Sequence, residues 1–252
     1  MPVPLSIQLY TLREQMAAEG PASVIQRLGA IGYSAVEGGV PKGLSGPEWR
    51  AMVEDQGMHI SCGGCGVPTA DSVAATVTKV TELGVRHAMC GYGPEHFADL
   101  EAIKRTAEAL AIGYELMADS GITLCLHNHA WEFERIDGRL KQDILIELCP
   151  AVQFELDVYW ATNHGTEDAA AMVTRVADRT PMLHLKDGML VKDEAMLACG
   201  AGKQNFPAIM AAADPQVLVA AAVELDRYDG DMWDAVTASH AYLTGAGLVQ
   251  GR

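Results

Sequence analysis

The 252-residue sequence is short of positive charge: 18 Lys and Arg stand against 33 Asp and Glu, a formal charge of −15. The Lys and Arg clusters that grip phosphates are missing, which argues against nucleic acid and against an anionic membrane surface as partners. No window approaches the roughly 18 consecutive apolar residues of a membrane helix. Met1-Pro2-Val3-Pro4-Leu5 has neither a basic region nor a long apolar stretch, so no targeting segment is read there and a cytoplasmic location is expected. Cysteines are few and dispersed, at Cys62, Cys65, Cys90, Cys125, Cys149 and Cys199. That pattern reads as buried thiols rather than a disulfide framework. Cys62-Gly63-Gly64-Cys65 lacks the second CxxC of a structural zinc site and leaves redox exchange as its functional alternative. No linker, low-complexity segment or charge block divides the chain, so one domain over residues 1–252 is expected. Hydrophobic residues at 49% and charged residues at 20% suit a core that needs no staples and exclude long-range disorder.

What the sequence does contain is alternation. Short β-like runs are read at Leu5–Tyr10, Ser34–Glu37, Met58–Cys62, Val85–Gly91, Ile122–His127, Val152–Tyr159, Met182–Lys186 and Val217–Leu225. Helical patterns lie between and after them, at Pro21–Ile31, Ser45–Gln56, Asp71–Leu83, Ala98–Ser120, Asp143–Cys149, Thr166–Asp178, Phe206–Ala213 and Asp231–Leu243. Strand and helix in strict succession imply parallel βαβ units. Eight such pairs in about 250 residues predict an α/β fold, a (β/α)8 TIM barrel. A doubly wound open sheet would carry a glycine-rich phosphate turn after its first strand; Tyr10-Thr11-Leu12-Arg13-Glu14 stands there instead.

The ionisable residues follow a period of two. Leu124 and Leu126 alternate with Cys125, His127 and His129; Phe154, Leu156 and Val158 with Glu155 and Asp157; Leu183 and Leu185 with His184 and Lys186; Val223 and Leu225 with Glu224 and Asp226. Ser6-Ile7-Gln8 and Ala35-Val36-Glu37 repeat the pattern more weakly. Alternate residues of a strand face opposite ways. In a barrel the leucine faces would lie under the helices, and the polar faces would converge on the C-terminal mouth, where barrel active sites are built. Singly, such a His or Asp is more often a core or capping residue. Together they would need a compensating charge, and a divalent cation held by Asp, Glu and His supplies one.

These residues resemble the sugar phosphate isomerase/epimerase family, the xylose isomerase-like TIM barrels. The carriers are Ile7-Gln8-Leu9-Tyr10-Thr11-Leu12-Arg13, Gly32-Tyr33-Ser34-Ala35-Val36-Glu37, His127-Asn128-His129-Ala130-Trp131-Glu132-Phe133, Phe154-Glu155-Leu156-Asp157-Val158-Tyr159-Trp160, His184-Leu185-Lys186-Asp187-Gly188 and Val223-Glu224-Leu225-Asp226. The resemblance implies one divalent metal ion held by Glu, Asp, His and Glu from four strand ends. The last three match Asp157, His184 and Glu224; the first falls on His127. A nitrogen-rich set favours Zn, Co or Fe over Mg, with Mn still open. Two further departures are Trp160, where the epimerases carry a substrate-binding His, and Gly200-Ala201-Gly202, where a Glu usually separates the glycines.

The implied chemistry is proton abstraction next to a carbonyl on a keto or aldo sugar or cyclitol, with the metal polarising substrate oxygens. Glu224 is expected as ligand and base. His129, which matches an active-site His of the related 3-dehydroshikimate dehydratases, is expected as general acid or base. Lys186 is expected to steady an enolate or bind an anionic group; the alternative is a salt bridge to Glu155 or Asp187. Gln8, Glu37 and Trp160 are candidate substrate contacts, with Trp131, Phe133 and Tyr159 as either an apolar wall or loop packing. Replacing the first Glu by His leaves a lyase on the same scaffold, an inosose-type dehydratase or 3-keto-sugar eliminase, as the alternative to an isomerase. A nuclease is disfavoured by the charge, although endonuclease IV shares the superfamily; a non-catalytic binder and self-association stay open.

Overall fold

The computed structural model describes residues 3–252. Eight parallel strands make one sheet: β1 (Leu5–Ile7), β2 (Ala35–Glu37), β3 (His59–Gly64), β4 (His87–Gly91), β5 (Thr123–His127), β6 (Phe154–Asp157), β7 (Met182–Leu185) and β8 (Ala220–Val223). Their spatial order is β1-β8-β7-β6-β5-β4-β3-β2. A parallel bridge from Gln8 to Glu37 joins the two ends of that order, so the sheet closes into the expected barrel. Among the described residues no helix is long and apolar enough to cross a membrane.

Local chemistry sets the element boundaries. The helix Pro21–Ile31 starts with Pro at its first position and stops at Gly32, whose φ of 111° only glycine adopts without strain. Ser45 and Glu48 form a capping box at the start of Gly46–Glu54. Asp99 caps Leu100–Met117, and Asp168 caps Ala169–Val176. The helices Pro21–Ile31 and Leu100–Met117 lay apolar stripes on the barrel: Val24, Ile25 and Leu28 from the one, and Ile103, Ala107 and Leu110 from the other, are buried. A fully buried Val, Leu or Ile contributes about 1.5–3 kcal/mol.

The first and sixth strands end earlier than their hydrophobic runs, and polar side chains are the reason. The first run breaks after Ile7 because the Gln8 side chain accepts from the Tyr10 N–H and winds Leu9–Leu12 into a 3-10 turn. The helix Arg13–Glu19 that follows is an addition to the expected order. The sixth run stops at Asp157 because its Oδ1 accepts from the N–H groups of Tyr159 and Trp160, 2.9 and 3.0 Å away. A two-residue hairpin, Arg135–Ile136 with Arg139–Leu140, is too short to leave a periodic signal.

The lumen is layered. Cys62, Cys125, Met182 and Ala220 form a separate buried apolar cluster, with Met89 against it. Cys125 and Met182 lie two residues before His127 and His184, so this plug sits one layer below the polar mouth. All six cysteines are free. Burial pushes the half-buried Cys65 thiol up to about 11 and raises Cys62 well above an ordinary thiol. Both stay protonated and unreactive at neutral pH. In native protein at pH 8, a disulfide reagent should modify Cys65 slowly and the others only after denaturant is added. Rapid loss of both Cys62 and Cys65 would restore the redox reading.

Candidate metal and substrate site

The C-terminal ends of β5, β6, β7 and β8 bring His127, Asp157, His184 and Glu224 together, each buried, with ligand atoms within 4.8 Å of one another. The backbone register explains why. Asp157 pairs with His184 across β6 and β7, and His127 with Glu155 across β5 and β6. Asn128 clamps the seam between them: its Nδ2–H donates to the Asp157 carbonyl at 3.2 Å, and its Oδ1 accepts from the Asp157 N–H at 2.9 Å. The Asp157 carboxylate is thereby divided. Oδ1 caps the following turn, while Oδ2 is left to face the Lys186 ammonium.

A second tier lies directly beneath. His184 Nδ1 is 2.7 Å from Glu224 Oε2, and its Nε2 is 2.8 Å from Glu37 Oε1 and 3.4 Å from Glu155 Oε2. A carboxylate on the far nitrogen fixes the orientation of a ligating imidazole. Glu37 reaches this place through a register shift between Val36 and Glu37 where β2 pairs β3, a local irregularity that re-aims a side chain. Glu37 is fully buried, held by His184 and by the Gln8 side chain. It therefore supports the site from below, whereas the sequence reading has it touching substrate. Gln8 does line the mouth, with its amide committed to Glu37.

Lys186 is 99% buried. Its Nζ lies 3.0 Å from Asp157 Oδ2, 2.9 Å from Glu224 Oε2 and 2.8 Å from Asp226 Oδ2. The expected partners Glu155 and Asp187 are not the ones it finds. Glu155 sits a layer lower, and Asp187 faces the other side of the strand.

The electrostatics call for positive charge. Burial opposes ionisation of Glu224, but Lys186 and His184 outweigh it and hold the carboxyl well below the usual range. Burial raises Asp157 to about 6 against the pull of Lys186. Burial and the neighbouring Glu37 raise Glu155 to about 8. His184 moves the other way. Burial disfavours its charge, yet Glu37, Glu155 and Glu224 draw a proton to it. With Asp157, Glu224 and Asp226 around Lys186, and Glu37 and Glu155 around His184, carboxyl groups outnumber the one fixed cation. Glu37 Oε2, both Glu155 oxygens and His127 Nδ1 are buried without hydrogen bonds, and Asp157 Oδ2 meets only the Lys186 ammonium. Unpaired buried polar atoms of this kind are costly. A divalent cation among His127, Asp157, His184 and Glu224 fits both the charge and the orphaned donor atoms.

His129 stands at the cavity wall, stacked on Trp131 with ring centroids 4.3 Å apart. Burial, then Lys186, lowers it to about 4. It is a neutral imidazole at pH 7, able to accept a proton. The mouth holds two cavities. One of about 400 Å3 is lined by Gln8, Tyr10, His127, His129, His184 and Glu224. The other, about 200 Å3, holds Trp160; the two share Asp226.

Of the residues named from sequence, His127, His129, Asp157, His184, Lys186 and Glu224 are brought together, with Gln8 at the rim, Glu37 beneath and Trp160 in the adjoining cavity. Glu155 and Asp226 stood on the converging polar faces without a role at the site, and Asn128 was not singled out. The first two carried a signal, since each lies two residues from a chosen residue on the same strand face. Asn128 carried none.

The family described as xylose isomerase-like TIM barrel matches residues 25–216. No curated protein matches the sequence. Among solved structures, two sugar phosphate isomerase/epimerases from Parabacteroides distasonis are similar. One is 23% identical with a TM-score of 0.79, covering 99% of this chain and 96% of its own. The other is 21% identical with a TM-score of 0.81, covering 98% of this chain and 100% of its own. A probable 3-DHS dehydratase from Bacillus anthracis, 12% identical over 96% of this chain and 99% of its own, gives a TM-score of 0.75. At these identities the structural likeness establishes the fold. The family match spans most of the sequence, and the chain belongs to the xylose isomerase-like TIM barrel family.

Proposed function

We propose that this protein is a divalent-metal-dependent isomerase or epimerase that moves a proton next to the carbonyl of a keto or aldo sugar or cyclitol. The carrying observation is the buried His127–Asp157–His184–Glu224 cluster, short of positive charge, opening on a cavity walled by a neutral His129. When bound, a divalent ion supplies Lewis-acid polarisation of substrate oxygens. The remaining work falls to this chain's own groups. His129 takes the proton from carbon at neutral pH, a role typically worth about 10²–10⁴-fold. Glu224, ionised beside Lys186, is the second group able to receive or return it. The Lys186 ammonium, held by three carboxylates, steadies negative charge developing on oxygen. Glu37 keeps the His184 ring in place.

A lyase is the second reading. His127 stands where a catalytic carboxylate is expected, which leaves His129 as the proton-moving group and the Lys186 ammonium as a fixed positive charge, a pairing compatible with elimination. One of the similar structures is a probable dehydratase. Incubating the metal-reconstituted protein with keto and aldo sugars in D2O separates the outcomes by NMR. Deuterium next to the carbonyl with unchanged connectivity is the expected result. Release of water or an aglycone would favour the lyase. Absence of both across the panel would remove both readings.

A further inference from the structure

The smaller cavity at the barrel mouth plays no part in the chemistry above. Its apolar wall is Tyr159, Trp160, Val191 and Met196, and it meets the larger cavity at Asp226. Lys186 lies between the two, its Nζ 5.4 Å from the centre of the Trp160 ring and 2.8 Å from Asp226. A molecule whose reacting end lies over His184 and Glu224 can therefore extend past Asp226 onto Trp160.

The walls of this cavity are built rather than loose. Leu190 takes a positive φ of 58°, unfavourable to its branched side chain, beside Asn163, His164 and Asp193 at 42°, 55° and 65°, which tolerate that region better. Neighbours hold them there. Asn163 Nδ2–H donates to the Phe133 carbonyl, Arg227 Nη2–H donates to the Asp193 carbonyl at 2.8 Å, and the Met196 N–H donates to the Arg227 carbonyl. Gly165 lies close against Leu190, so the two loops meet. Backbone strain over-determined in this way is characteristic of ligand clamps.

Charge decides what fits. The cations of the cavity, Lys192 and Arg227, are matched against Asp193, Glu194 and Asp226, and the carboxylate-rich metal cluster lies alongside. A phosphate group would meet net repulsion here. An uncharged ring would find an aromatic wall for its apolar face and charged groups for its hydroxyls.

We infer that the smaller cavity is a second sugar subsite, and that the substrate is a neutral glycoside or disaccharide rather than a sugar phosphate. This rests on the sugar reading above and names its substrate class. The test is titration calorimetry of the metal-loaded protein with fructose, fructose 6-phosphate and reducing disaccharides that keep the fructose unit: isomaltulose, turanose, maltulose and lactulose. At least one disaccharide should bind about tenfold or more tightly than fructose, a difference of about 1.4 kcal/mol, and the phosphate should bind more weakly than fructose. The exposed Val191→Trp variant, which fills the subsite, should lose the disaccharide gain while fructose binding and metal content stay unchanged. Equal affinity for fructose and every disaccharide, or tightest binding of the phosphate, overturns the subsite and leaves the sugar reading standing. Failure of every sugar to bind overturns both.

Discussion

Asp157→Asn should strip the protein of divalent metal and of activity together. Asparagine is nearly the same size, and its Oδ1 can still accept from the Tyr159 and Trp160 N–H groups, so the turn after β6 is preserved. What disappears is the negative charge at Oδ2, 3.0 Å from Lys186 and within the four-residue cluster. Elemental mass spectrometry should find about one divalent ion per chain in the wild type and little in the variant. Groups that merely orient a ligand are worth about 10–100-fold in metal affinity; a ligand itself should cost at least about 100-fold. Turnover should fall by about 10²–10³-fold, the scale of losing one preorganised electrostatic partner. Metal retained at wild-type stoichiometry would show that the ion sits elsewhere. His127→Ala is the companion test: metal kept in that variant would release His127 from the ligand set and make it a catalytic candidate.

Asp187→Ala should cause the largest loss of stability. Asp187 is fully buried on the outer side of the same strand end. Its carboxylate accepts four backbone N–H groups: Gly188 and Gln204 on Oδ1 at 2.8 and 3.1 Å, Gly200 and Gly202 on Oδ2 at 2.9 Å each. Alanine leaves those donors without their acceptor, each worth about 1–3 kcal/mol if it stays dry. Because the loop relaxes and the terms do not add, a total of about 3–5 kcal/mol is expected, a large share of the roughly 5–15 kcal/mol that holds a domain together. The melting temperature should drop by roughly 10 °C. This network also accounts for the glycine at position 202. A side chain at Gly202 would collide with the Asp187 carboxylate and the Gly188 nitrogen, whereas Ala201 points outward. A shift within experimental error on Asp187→Ala would mean that water replaces the carboxylate.

Much of the site was readable because strands impose a period of two. His127 and His129, Asp157, His184 and Lys186, and Glu224 stand out against leucines and valines at alternate positions, and β-geometry alone puts each set on one face. The depth of a residue along the lumen is not encoded in that period. Glu37 and Glu224 look equivalent in sequence, yet a register shift in β2 places Glu37 in the lower tier. Glu155 and Asp157 share a face, yet only Asp157 reaches the upper cluster. Lys186 illustrates the same limit. Its neighbours in sequence, Asp187 above all, were natural partners, but adjacent strand residues face opposite ways, and the charges it meets come from β6 and the segment after β8.

The sequence by itself determined the barrel, its number of strands, the face on which the ionisable groups lie and the acidic charge balance. These are properties of local periodicity and composition, which need no knowledge of neighbours. Only the tertiary structure decided which carboxylates surround Lys186, which histidine nitrogen faces which glutamate, that Asp187 is a loop anchor, and that a second cavity adjoins the first at Asp226. Those facts depend on strand register and on loops meeting across the barrel mouth, contacts between residues far apart in the chain that no local pattern specifies.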